Sequence, residues 1–161
     1  MIEPLVKTIE VPCDQAEAFE VFVDQMGTWW PLARFSASVK FGMSPQGLRV
    51  QPRVGGTIVE TSTDGTEHLW GTILEYDPHD YVRMDLHIGL PPQTASRVEV
   101  RFVALEAERT RVVLTQSEWE RFGRFAEMML QGYPRGWVVI FEQAYRMACG
   151  GRAPEDRAGE G

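Results

Sequence analysis

Cysteine is scarce in this 161-residue chain. Cys13 and Cys149 are too few for a disulfide framework, and a chain this long buries enough surface to need none. Two unpaired thiols in a reducing compartment are the expectation. Histidine is nearly as scarce: His68, His79 and His87 stand eleven and eight residues apart, which fits no zinc or iron spacing, so no metal site is expected. Positive charge is in deficit. A net charge of −7 and a pI near 5.0 exclude the basic stripe of a nucleic-acid surface and disfavour docking on anionic membranes. Long apolar runs are missing. The densest, Trp137 to Phe141, is too short to span a bilayer, and Glu3, Lys7 and Glu10 interrupt any leader-like segment at the start. A cytoplasmic protein without membrane insertion is expected. Also absent are the G-x-S-x-G elbow, the G-x-G-x-x-G turn and the phosphate-binding loop.

What is present is aromatic residues at the ends of elements. Leu5 to Val11 reads as a first strand, stopped by Pro12. Asp14, with Glu17 three residues on, has the spacing of a helix start. Ala16, Phe19, Val23 and Met26 form a stripe beside Phe22, Gly27 closes that helix, and Trp29-Trp30-Pro31 follows. From about residue 37 the period becomes two. Ser38 to Phe41, Thr57 to Thr61, Glu67 to Tyr76, Tyr81 to Ile88, Arg97 to Leu105 and Thr110 to Ser117 read as strands. Turn chemistry separates them at Ser44-Pro45-Gln46-Gly47, Gly55-Gly56, Asp64-Gly65 and Asp77-Pro78, so the sheet is antiparallel. Glu120 to Gln131 suggests a helix, and a second opens near Pro134 with Trp137, Ile140, Phe141, Ala144 and Met147 on one face. Residues 1–149 read as a single domain. The composition of 150–161, rich in glycine and charge, suits a flexible tail. An α+β architecture follows, in which a curved antiparallel sheet wraps the last helix and the early helices close one end.

These words match a known pattern. Ala18-Phe19-x-x-Phe22, Trp29-Trp30-Pro31, Val54-Gly55-Gly56-x-x-x-Glu60 and Trp70-Gly71-Thr72-Ile73 come in order. Asp77-Pro78, Arg111-Val112-x-Leu114 before Trp119-Glu120, and Gly132-Tyr133 leading to Gly136-Trp137 follow them. Over about residues 3–148 the chain resembles the START-related SRPBCC superfamily, the helix-grip fold shared with birch-pollen-type allergens. Within it the chain looks most like homologues of the activator of the 90-kDa heat-shock-protein ATPase. The resemblance implies a seven-stranded antiparallel sheet gripping a C-terminal helix, with a cavity between them. Thr57 replaces a frequent arginine, His79 a proline, Leu86 a tryptophan and Gln116 a histidine, so the cavity walls are altered.

If the inner strand faces line that cavity, Trp30, Trp70, Met84, Phe102 and Trp137 supply apolar wall, with Phe22, Tyr133 and Phe141 beside them. Glu60 and Gln116 point inward as polar groups that need partners. A desolvated Glu60 would have a raised pKa and is the one weak catalytic candidate. The structural alternative pairs it with Arg53 or Arg101. Alternation turns His87 away from Met84 and Leu86, toward the side of Arg83 and Asp85. Cys13, near a helix start, is placed where a thiol pKa can fall. Three functions are compatible with this reading. The first is binding of a small lipid-like or aromatic molecule, with no cofactor. The second is a cyclase-, aromatase- or hydrolase-like enzyme using Glu60. The third is a protein-interaction module with a chaperone partner. A homodimer is left open.

Overall fold

Period-two burial runs through seven strands: β1 (Leu5–Val11), β2 (Pro45–Val50), β3 (Thr57–Ser62), β4 (Glu67–Asp77), β5 (Tyr81–Leu86), β6 (Ser96–Glu106) and β7 (Arg109–Ser117). The computed structural model describes residues 2–150; the tail expected from the sequence lies, from 151 onward, outside the described residues. The strands form one antiparallel sheet in the order β1-β7-β6-β5-β4-β3-β2. Its inner face carries Ile58 and Glu60 on β3, Val82, Met84 and Leu86 on β5, Val98, Val100 and Phe102 on β6, and Val112, Leu114 and Gln116 on β7, all buried. The β4 strand breaks the alternation: Trp70 and Gly71 are buried in succession, next to shifts in register against both neighbours. A Cβ on Gly71 would lie 1.9 Å from the Asp85 carbonyl oxygen, so only hydrogen fits there.

The helices differ from the expectation in three places. Asp14 does cap α1 (Gln15–Phe22), its Oδ1 accepting the Glu17 N–H at 2.7 Å. The helix ends at Phe22 rather than running to Met26, and a separate turn, α2 (Met26–Trp29), follows with Gly27 inside it. Two indoles hold this bend: Trp29 Nε1 donates to the Val21 carbonyl at 2.6 Å and Trp30 Nε1 to the Phe35 carbonyl at 2.7 Å.

The segment Ser38–Phe41 is not a strand. It lies in a short helix, α3 (Ala37–Lys40), started by Ser36, whose Oγ accepts the Val39 N–H at 3.2 Å. Four residues of alternation are too few to outweigh a serine cap plus a carboxylate on the first two N–H groups. The strand that replaces it, β2, begins at Pro45, inside what the sequence suggested was a turn. Proline is tolerated at the first residue of an edge strand, and β2 is the sheet edge.

The third difference concerns the C-terminal helix. Trp119–Phe125 winds as a 3-10 segment interrupted at Gly123 (φ 58°, ψ −123°). From Ala126 one helix runs on to Ala148: α4 (Ala126–Trp137), a π-wound stretch (Val138–Tyr145) and α5 (Arg146–Ala148). Pro134 sits inside α4 rather than opening a new helix. Trp137, Ile140, Phe141 and Tyr145 lie along the buried side and join the inner face of the sheet in one core with Phe19, Phe22 and Trp30. This is the helix-grip arrangement. A smaller cluster of Trp119, Phe122 and Met129 packs beside it, and Tyr133 touches both.

Candidate functional site

The seam between the two clusters leaves a cavity. It has a volume of about 220 Å³ and is lined by Trp30, Arg34, Phe35, Ser36, Lys40, Ile88, Met129, Gly132, Tyr133 and Ile140. Four parts of the chain meet here: the link from Trp30 to Ser36, α3, the segment just after β5 and the C-terminal helix. The link approaches because the Trp30 indole ties it to Phe35, and α3 because Glu60 anchors it. A Cβ on Gly132 would meet nothing within 4 Å, so the helix face opposite Trp30 is bare.

Of the wall residues expected from the sequence, Trp30 and Tyr133 line this cavity. Phe22, Trp70, Met84, Phe102, Trp137 and Phe141 are packed in the main core, each at most 1% exposed. Several of the rings meet edge-on: Phe22 against Phe102 at 6.0 Å, Trp30 against Trp70 at 5.0 Å and against Trp137 at 6.0 Å. Sequence patterning passed over Arg34, Phe35, Ser36, Lys40, Ile88, Met129, Gly132 and Ile140. The only signal for the first four is a pair of cation–aromatic neighbours, Arg34-Phe35 and Lys40-Phe41, on either side of the Ser36 helix start.

The two inward polar groups are hydrogen-bond hubs. Glu60 is fully buried. Its Oε1 accepts the Ala37 N–H at 2.8 Å and the Trp70 Nε1–H at 2.8 Å; its Oε2 accepts the Ser38 N–H at 3.1 Å and the Ser38 hydroxyl. Neither Arg53 nor Arg101 is its partner: Arg101 stands 3.9 Å from Asp80 and over the Tyr81 ring. From Ser38 the network continues to Ser62 Oγ at 2.6 Å and on to His68 Nε2 at 2.9 Å. Gln116 mirrors Glu60 across the core. Its Oε1 accepts the Trp137 Nε1–H at 2.8 Å and its Nε2 donates to Ser96 Oγ at 2.8 Å. Burial pushes the nearby Tyr133 phenol up to about 12, an interaction with Gln116 opposing it.

His87 is not turned outward with Arg83 and Asp85. The β5 strand ends at Leu86, so alternation no longer governs it; His87 is buried, its N–H donates to the Trp70 carbonyl at 2.7 Å, and its Nδ1 lies 3.1 Å from the Leu90 carbonyl oxygen. Burial lowers its pKa. With Phe41, His68, Leu69, Leu90, Pro91 and Pro92 it borders a second, more open hollow of about 500 Å³ on the other side of α3. His79 is exposed, 3.2 Å from Glu20. The thiol near the helix start is shifted up, not down: proximity to Cys149 and burial both raise Cys13, while the same contact lowers Cys149.

Residues 13–142 match the family described as activator of Hsp90 ATPase homolog 1-like protein. Among solved structures, the chain is similar to an anthrahydroquino-gamma-pyrone synthase, Txn09, solved in complex with SUM: 29% identity, 91% of this chain and 97% of that one covered, TM-score 0.63. It shares its fold with CalC, a self-sacrificing resistance protein from Micromonospora echinospora (23% identity, 91% and 93% covered, TM-score 0.65), and with CalU16 from the same organism (17%, 96% and 80%, 0.57). A search of curated sequences returns no match. The fold, the order of its motifs and the extent of the match agree: the chain belongs to the activator of Hsp90 ATPase homologue 1-like family, within the SRPBCC superfamily.

Proposed function

We propose that this protein binds a small aromatic or lipid-like molecule in the cavity between the C-terminal helix and the Trp30–Lys40 segment. The observation that carries this reading is a cavity of about 220 Å³ with aromatic and aliphatic walls, left at the seam of two otherwise close-packed clusters. Pockets for drug-sized ligands usually run from about 300 to 1,000 Å³, so a guest below that size, of up to three rings, suits this one. Among the similar structures, one is named a synthase and was solved with a bound compound, which is consistent with an occupied cavity in this fold. A cyclase- or hydrolase-like alternative would assign acid–base chemistry to Glu60. Four protein donors already occupy that carboxylate, and it lies behind α3. The present reading therefore makes Glu60 the anchor of the cavity wall.

The test is a fluorescence titration with the neutral probe N-phenylnaphthylamine on the wild type and on Gly132→Leu. Leucine at 132 grows into open space and improves helix propensity by roughly 0.5–1 kcal/mol, so the variant stays folded while filling the cavity. Saturable one-to-one binding that Gly132→Leu abolishes supports the reading. Binding unchanged in Gly132→Leu, or none in the wild type, refutes it. Native mass spectrometry of the purified protein then identifies any guest carried from the cell.

A further inference from the structure

The walls of the cavity are apolar, but its rim carries charge of one sign. Arg34 and Lys40 both line it, and among the described residues no aspartate or glutamate does. Among the described residues neither cation takes part in an ion pair, while eight other lysines and arginines do. In a chain of net charge −7, where carboxylates outnumber cations, two unneutralised cations beside one apolar hollow mark a local departure from the surrounding charge.

Lys40 is also held in place. Its Nζ donates to the Ile88 carbonyl at 3.0 Å, and its stem crosses Gly89, where a Cβ would lie 2.5 Å from Cδ. Burial lowers its pKa, with no carboxylate to counter the loss of water. Beside it, Ser36 Oγ accepts the Val39 N–H, and its own hydroxyl proton remains free to donate. Arg34 packs its guanidinium over the Phe35 ring, 5.1 Å from the centroid. One apolar body and one negative group would satisfy the whole set.

We propose, building on the cavity reading above, that the occupant is an amphiphilic anion. It would be a planar aromatic carrying a carboxylate, sulfonate or ionised phenol, with the ring between Trp30, Tyr133 and Ile140 and the negative group between Arg34 and Lys40. Charge-assisted hydrogen bonds to such a group outweigh the same contacts to a neutral one.

The experiment compares two probes with the same rings, anilinonaphthalene sulfonate and the uncharged N-phenylnaphthylamine, on the wild type, Arg34→Met, Lys40→Met and the double variant. The expected result is that the wild type prefers the sulfonate by about tenfold or more. Each single variant narrows that preference and the double variant abolishes it, because affinity for the sulfonate falls more than affinity for the neutral probe. Lys40→Arg, which keeps the charge, should retain most of it. Equal affinity for both probes in the wild type overturns the inference and leaves the cavity reading intact. So does a preference that survives in the double variant, or sulfonate binding that survives in Gly132→Leu. Failure of both probes to bind the wild type removes the cavity reading itself. Arg34 is exposed, its guanidinium lying over the Phe35 ring, so Arg34→Met reports on charge even if Lys40→Met loosens α3.

Discussion

Replacing Glu60 by glutamine keeps the shape and removes the charge. Two of the four donors, the Ala37 N–H and the Trp70 indole, share Oε1 and can stay on the amide oxygen. Each bond to a neutral acceptor is weaker than one to a carboxylate by about 1 kcal/mol. The Ser38 hydroxyl can rotate to accept from the new amide. The Ser38 N–H cannot, and it then faces an NH₂ group as an unsatisfied buried donor, at a cost of about 1–3 kcal/mol. Relief of the buried charge offsets part of this, which leaves a net loss of about 2–4 kcal/mol. With a urea slope of about 2 kcal/mol/M for a protein of this size, the midpoint should fall by about 1–2 M. The loss should be local as well as global. The Ala37 and Ser38 amides should exchange faster, and binding of N-phenylnaphthylamine should weaken, because α3 carries Lys40 and follows Ser36 at the cavity wall. A midpoint within about 0.3 M of wild type, with Ala37 and Ser38 still protected, would refute the view that Glu60 anchors this wall.

Two further expectations rest on single groups. Burial lowers His87 from its ordinary 6.5, so the unfolded chain binds the proton more readily. Stability is unaffected by this group above 6.5 and falls as pH drops from there through the folded value. Urea midpoints at pH 7.5 and 5.0 should therefore converge in His87→Gln relative to wild type, and an unchanged pH dependence would contradict that burial. Cys13 and Cys149 are 4% and 5% exposed, so neither should react with a chromogenic disulfide reagent in the native protein and both should react in guanidinium. Rapid native reaction at Cys149 would show that the end of the C-terminal helix opens.

The sheet was largely legible because its inner strands alternate cleanly: Val98, Val100 and Phe102, or Val112, Leu114 and Gln116, announce a face without help from the rest of the chain. The motif order also pointed to the helix-grip fold. The stretch from Ser36 to Val50 was not legible, because its structure is decided at long range. Glu60, on another strand, turns Ala37–Lys40 into a helix, and the edge position of β2 lets Pro45 begin a strand. His87 was misplaced for a related reason: the strand stops two residues earlier than its pattern. The inward aim of Glu60 and Gln116 followed from alternation, but their partners did not, since indoles and backbone N–H groups can only be assigned in three dimensions. The cavity lies where two clusters fail to meet, a property of packing that no single segment encodes.

The most direct test of the central claim is a titration of labelled protein with N-phenylnaphthylamine, followed residue by residue in amide and indole NMR spectra. The account predicts saturable shifts concentrated at the Trp30 indole, Phe35, Ser36, Ile88 and Gly132, with the outer face of β6 and β7 unmoved. Shifts centred on His68, Leu69 and Leu90 across α3, or scattered without saturation, would contradict it.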